Sequence, residues 1–318
     1  MRQYLFFGFA VLTASLAAFA CGGDDAGDGG SSSGGGSSSG SSSTSSGGGS
    51  SGNGSSSGAS SSSSSGNPSA GCGKPGAATG FQASLSISAG GQTRGYSLAV
   101  PATYDANRKY PVVFAFHGDG GDGSSARSAF KFETAHGNDA IFVYPNGNSK
   151  TWDLDTWDST KNKDVLLIDA LVASVKSTYC VDESKVFAAG FSRGGFFANH
   201  LGCQRGGVIA AVASHGGGGP YDGTNKNYDE NGNLVCPGQP IPVLLVIGAN
   251  DGLLTDSKES EKFWVFKNSC KTATAASTPS PCVSHQGCSK RLDWCQIPGM
   301  GHQVWAQGTE ATWAFFAP

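Results

Sequence analysis

Charge is scarce: Lys, Arg, Asp and Glu make up 14% of the 318 residues, and 21 basic against 24 acidic side chains leave a net charge of −3. A chain so poor in excess positive charge lacks the phosphate-neutralising surface that nucleic acid requires, which excludes nucleic acid as its main partner. Long apolar runs are missing too. After the first twenty residues, no stretch approaches the ~20 residues of a membrane-spanning helix. The nine cysteines include no C-x-x-C pair, the spacing that a zinc site would favour, so neither a metal nor a cofactor is expected. Nor does a second linker-like stretch appear after residue 71. The chain from Cys72 onward therefore reads as one large domain with a substantial core rather than two small ones.

What is abundant is serine and glycine, and both are concentrated. Residues 31–66 contain only Ser and Gly apart from Thr44, Asn53 and Ala59. Such a tract cannot bury enough apolar surface to offset its ordering entropy, so residues 22–71 are expected to form a disordered tether. About 50 residues of flexible coil give a root-mean-square reach of about 40 Å, at ~5–6 Å × √n. Ahead of it, Arg2, the apolar run Tyr4 to Leu12 and the small-residue stretch Thr13 to Ala20 have the layout of an export signal. It ends in Ala18-Phe19-Ala20-Cys21, and this arrangement resembles a bacterial lipoprotein signal, which implies a lipidated Cys21. The expected organisation is thus an export signal over 1–21, a linker over 22–71 and a catalytic domain over 72–318. An exported chain, anchored to the cell envelope through lipid or secreted, and acting as a monomer, follows from it.

Setting Cys21 aside leaves Cys72, Cys180, Cys203, Cys236, Cys270, Cys282, Cys288 and Cys295. An even number in an exported chain reads as disulfides, and the spacing alone does not choose among the possible pairings. Short runs without strict alternation, at Val112 to Phe116, Ala140 to Tyr144, Val186 to Ala189, Val208 to Ala213 and Val243 to Ile247, suit strands buried on both faces. Between them, Val165, Ile168, Leu171, Val172 and Val175 recur at helical steps, so Asp164 to Thr178 reads as an amphipathic helix. Ser257 to Asn268 and Thr309 to Phe316 are weaker helical patterns. Alternating strands and helices predict an α/β domain with a mostly parallel central sheet covered by helices on both faces, with sites at the carboxyl ends of its strands.

One such strand, Lys185 to Ala189, runs into Gly190-Phe191-Ser192-Arg193-Gly194 and then a helical stretch, which is G-x-S-x-G in the strand–turn–helix context that exposes a nucleophilic serine. A serine hydroxyl needs an imidazole to take its proton and an acid to orient that imidazole. In the order Ser, Asp, His, the acid belongs in the loop after a later strand. Asp251, after Val243 to Ile247, fits; Asp256 is the runner-up, with an alternative reading as a helix N-cap. His302, after the short strand Leu292 to Ile297, is the candidate base. His215 is its rival but precedes Asp251, whereas His136, His200 and His285 read as surface or core residues. Oxyanion donors are expected from the backbone amides of Arg193 and of Asp119, the latter in His117-Gly118-Asp119-Gly120-Gly121 after an early strand.

From about Phe81 to Phe316 the chain resembles the secreted feruloyl esterase and polyhydroxybutyrate depolymerase group of the α/β-hydrolase superfamily. The matching stretches are His117-Gly118 with Gly120-Gly121, Tyr144-Pro145-Asn146-Gly147, Tyr179-Cys180-Val181-Asp182, the Ser192 turn and Gly248 to Asp251. The tail, with His285-Gln286-Gly287-Cys288, Trp294-Cys295 and Gly301-His302, is more similar to the feruloyl esterase side. The resemblance implies an α/β-hydrolase fold and the same triad of Ser192, Asp251 and His302. It also implies a serine esterase that releases hydroxycinnamic acids from plant cell-wall polysaccharide. Polyhydroxyalkanoate depolymerase and acetyl xylan esterase are alternatives with the same triad, and a non-catalytic surface-binding lipoprotein is an alternative of another class. Trp152, Trp157 and Trp305 are candidate surfaces for stacking on an aromatic acid or sugar.

Overall fold

Along Tyr110–Phe116 the apolar side chains alternate between two separate cores: Val112, Phe114 and Phe116 join one, Val113 and Ala115 the other. That period-two division is what a strand buried on both faces produces. The computed structural model describes residues 68–316. The expected export signal, Cys21 and residues 22–67 of the expected linker lie outside the described residues.

The strands are β1 (Gly80–Ala89), β2 (Gln92–Val100), β3 (Tyr110–Phe116), β4 (Ile141–Pro145), β5 (Val181–Phe191), β6 (Ala211–His215), β7 (Val243–Gly248), β8 (Thr274–Ala276), β9 (Val283–His285) and β10 (Leu292–Ile297). They form a ten-stranded sheet in the order β1-β2-β4-β3-β5-β6-β7-β10-β9-β8. The central six, β4 to β10 in that order, are parallel. Antiparallel pairs flank them on both sides.

The helices are α1 (Gly123–Phe130), α2 (Phe132–His136), α3 (Lys163–Thr178), α4 (Arg193–Arg205), α5 (Leu254–Lys267) and α6 (Gly308–Phe316). The core on one face takes Leu167, Ile168 and Leu171 of α3, Phe197 and Leu201 of α4 and Trp264 of α5. The opposite core takes Ala126 and Phe130 of α1 and Ala311, Phe315 and Phe316 of α6. This is the α/β-hydrolase arrangement. Helix α3 starts where Asn162 accepts hydrogen bonds from the amides of Asp164 and Val165, satisfying two donors that have no intrahelical partner.

Several boundaries differ from those read off the sequence. The domain begins before Cys72: Ser69 is buried, its hydroxyl donates to the carbonyl of Tyr179, and the amide of Gly71 donates to that of Lys176. Residues 68–71 therefore belong to the domain and not to the linker. The sixth strand starts at Ala211, because Val208 sits exposed in the turn that closes α4. Helix α5 starts at Leu254, which puts Asp256 in its first turn rather than at its cap, where a carboxylate favours the helix dipole. The hairpin β1–β2 escaped the sequence reading since half the side chains of β1, and Gln92 and Thr93 at the start of β2, face solvent.

The eight cysteines of the domain form four bridges: Cys72–Cys180, Cys203–Cys236, Cys270–Cys288 and Cys282–Cys295. The first fastens the stretch before β1 to the end of α3, the third closes the base of the β8–β9 hairpin, and the last ties the turn of that hairpin to β10, the strand that leads to His302. A bridge of this kind typically contributes about 2–4 kcal/mol, chiefly by limiting the unfolded chain.

Candidate active site

At the carboxyl end of β5 the chain must reverse into α4 within one residue. Ser192 makes that turn with φ 55° and ψ −125°, a conformation that ordinarily costs ~1–3 kcal/mol and must be over-determined by its surroundings. Two main-chain bonds hold it: the Ser192 amide donates to the carbonyl of His215 at 2.8 Å, and its carbonyl accepts from Gly195 at 2.8 Å. The flanking glycines are obligatory. A Cβ on Gly190 would collide with the carbonyl of Gly194, and one on Gly194 with the carbonyls of Phe116 and His117.

The loops after β7 and β10 bring Asp251 and His302 to this serine. Ser192 Oγ lies 2.8 Å from His302 Nε2, and His302 Nδ1 lies 2.8 Å from Asp251 Oδ2. Beside a carboxylate Nδ1 carries the proton, which leaves Nε2 free to accept from the hydroxyl. The Asp251 side chain is buried and its other oxygen accepts from the amide of Leu253 at 2.8 Å. His302 keeps 39% of its side chain exposed. The arrangement can deprotonate Ser192 and stabilise the resulting imidazolium. His215, the rival, points its ring away: Nε2 lies 2.8 Å from Thr312 Oγ1, and burial pushes the imidazole down to about 3.

Arg193 opens α4, where the first amides have no intrahelical acceptor. The loop after β3 lies against the nucleophile, since a Cβ on Gly118 would sit 3.2 Å from Ser192 Cβ. The carboxylate of Asp119 accepts from the Thr151 hydroxyl and stands 4.0 Å from Arg193 Nε, which itself donates to the carbonyl of Trp152 at 2.9 Å.

The tryptophans do not form an open stacking surface. Trp152 is wholly buried between Phe116 and Phe197 and donates through Nε1 to the His117 carbonyl, so it has no free face and its assignment to substrate is corrected. Trp305 keeps only 9% of its surface and belongs to the core shared with α6, which corrects its assignment likewise. Half-buried Trp157 packs with the Cys203–Cys236 bridge and edge-on to His200. The aromatic beside the base is instead Phe191, its ring 4.9 Å from that of His302.

The segment Gly216-Gly217-Gly218-Gly219-Pro220-Tyr221, which the sequence reading passed over, runs from His302 and Phe191 to Phe196 and Asp256. Its signal was available in the run of glycines directly following a buried strand, where sites form. Burial raises the pKa of Tyr221, and Asp155 adds to it while Arg193 opposes it. Among the described residues, no three His, Cys, Asp or Glu side chains gather as a metal site requires.

A family model described as "Esterase: Putative esterase" matches residues 87–296. The chain belongs to this esterase family. It is a serine carboxylic ester hydrolase. The esterase is 33% identical to the probable feruloyl esterase C of Aspergillus clavatus over 243 residues, 70% of its own chain and 83% of that relative. The feruloyl esterase C of Emericella nidulans is 29% identical, with the same coverage of both chains. Among solved structures, an acetyl xylan esterase from Aspergillus awamori superposes with a TM-score of 0.59 at 20% identity, covering 74% of the esterase and 99% of that chain. That likeness is one of fold. The match to the family spans Ser192 and Asp251 and stops short of His302.

Proposed function

We propose that the esterase hydrolyses hydroxycinnamoyl esters of plant cell-wall polysaccharide through Ser192, His302 and Asp251. The observation that carries the mechanism is the unbroken chain of hydrogen bonds from Asp251 through His302 to Ser192 Oγ. In the acylation step Ser192 Oγ bonds to the ester carbonyl carbon while His302 Nε2 takes the hydroxyl proton. The negative charge that develops on the carbonyl oxygen is met by the amides of Arg193 and Asp119. His302 then gives its proton to the departing alcohol as the carbon–oxygen bond breaks. Water, deprotonated by the same imidazole, attacks the acyl-serine, releases the acid and returns the proton to Ser192. Asp251 keeps the proton of Nδ1 in place throughout.

Support for the acyl group comes from the feruloyl esterase relatives and from Phe191 beside the base; stacking on Trp152 or Trp305 no longer contributes. Export into an oxidising compartment agrees with the four bridges. The anchor at Cys21 rests on the sequence of the signal, and a polysaccharide as the alcohol rests on the family resemblance read from the sequence. An initial-rate comparison of methyl ferulate, acetylated xylan and hydroxybutyrate oligomers tests the reading. Methyl ferulate should give the highest kcat/KM, and a higher value for either competitor would reassign the substrate while leaving the triad intact.

A further inference from the structure

His117 takes no part in the chemistry above, yet it is 2% exposed at the end of β3 and both its ring nitrogens are engaged. The amide of Gly147 donates to Nε2 at 2.9 Å, so Nε2 bears a lone pair and the ring proton resides on Nδ1. Nδ1 donates that proton to the carbonyl oxygen of Gly118, 2.7 Å away. The amide of Gly121 donates to the same oxygen at 3.1 Å. A trans peptide group points its C=O and N–H in opposite directions, so fixing the Gly118 carbonyl fixes the Asp119 amide on the other side. Among the described residues that amide has no hydrogen-bond acceptor, and the Gly118 backbone lies directly against Ser192.

We propose that His117 is a positioning residue for ester hydrolysis: Gly147 selects its Nδ1–H tautomer, which locks the Gly118–Asp119 peptide so that the Asp119 amide faces the oxyanion. This rests on the reading of that amide as an oxyanion donor. The clamp is anchored on regular structure rather than on loops alone. The carbonyl of Asn146, next to Gly147, accepts from Arg94 of β2, and Arg94 pairs at 2.5 Å with the buried Asp164 of α3. Asp164 also accepts from the amide of Asp153 at 2.7 Å, which ties down the stretch carrying Trp152. Burial keeps the His117 imidazole below its ordinary pKa, against the opposing bond to Gly118 and the charges of Asp122, Asp164 and Asp119. Protonation would turn Nε2 into a donor facing the Gly147 amide and break the clamp.

Two variants separate the two nitrogens. The amide nitrogen of His117→Asn reaches the position of Nδ1 and keeps the donor to Gly118, whereas His117→Gln reaches Gly147 and loses that donor. With p-nitrophenyl acetate, the Gln variant should lose about 10²-fold in kcat, the scale of one oxyanion donor, at a KM within about threefold of the parent. The Asn variant should stay within about tenfold in kcat. Inhibition by phenylboronic acid, whose serine adduct mimics the tetrahedral species, should weaken in parallel with kcat, at an unchanged urea midpoint for unfolding. Equal activity of the two variants, or a loss that tracks KM or the folded fraction, would overturn the proposal. If the Gln variant does not fold, a loss beyond about 10²-fold in the folded Asn variant overturns it as well, and near-parental kcat supports it. Ser192→Ala run alongside keeps the two readings apart: an inactive Ser192→Ala with fully active His117 variants refutes the clamp alone.

Discussion

The loop after β10 and the carboxyl end of β6 each bring a histidine to Ser192, at the same distance but through different atoms. His302 meets the serine hydroxyl with Nε2 at 2.8 Å; His215 meets the serine amide with its main-chain carbonyl at 2.8 Å. The first ring is part-exposed and backed by a buried carboxylate, so a proton gained at Nε2 is compensated on the spot. The second is wholly buried beside Phe130 and a threonine, with no carboxylate among the described residues to compensate a charge, and burial holds it neutral. In the proposed mechanism one imidazole serves as the base; the other is a neutral wedge at the strand end from which the serine hangs. What separates them is the partner of the second nitrogen and access to solvent, neither of which the residue type reveals.

The comparison breaks most visibly at the base. His302→Ala should lower kcat by about 10⁶-fold, the order expected when a triad histidine is removed, as should Ser192→Ala. Hydrolysis of p-nitrophenyl acetate measures both, and substantial activity in His302→Ala would move the base elsewhere. Asp251→Asn should cost about 10⁴-fold by letting the imidazole adopt the wrong tautomer, with KM little changed. A loss confined to KM would deny Asp251 that role.

The half of the candidate site that is built from side chains, the grouping of Ser192, His302 and Asp251, was legible in the sequence. Asp251 follows the buried aliphatic strand Val243–Gly248, Ser192 the buried run from Val186 to Gly190 and His302 the short mixed strand Leu292–Ile297, and chemistry restricts which residue types can stand after them. The parallel centre of the sheet was legible for the same reason, because Val112 to Phe116 and Val243 to Ile247 have no polar face to expose. What the sequence hid works through the backbone or through long-range contacts. The exposed hairpin β1–β2, the glycine segment 216–219 and the tie of His117 to Gly147 depend on approach distances that composition does not record. Trp152 misled because it stands among polar neighbours, Thr151 and Asp153, while its ring fills the core between Phe116 and Phe197.

On the structural side of the comparison, Thr312→Val removes the hydroxyl from the buried pair with His215 and keeps the shape. Leaving His215 Nε2 without a partner should destabilise the fold by about 1–3 kcal/mol, read from urea denaturation, while kcat changes little. A stable variant with impaired kcat would mean that the His215 ring, and not only its carbonyl, bears on Ser192.

The smallest effect is the most specific to the buried ring, and it concerns pH. His215 is held down to about 3 and His200 to about 4, in both cases chiefly by burial, whereas an unfolded histidine titrates near 6.5. Below pH ~6.5 the unfolded chain therefore binds protons that the folded chain refuses, and stability must fall as pH falls. Each group contributes a slope of at most about 1.4 kcal/mol per pH unit, His200 down to about pH 4 and His215 down to about pH 3. His215→Gln, which can still reach Thr312 but does not titrate, should remove one proton's worth of that slope between pH 6 and pH 4.5 and leave stability at pH 8 close to the parent's. Urea midpoints across that range measure it. An unchanged slope would mean that the folded protein lets His215 take up its proton after all, and with it would go the distinction between a neutral wedge and a working base.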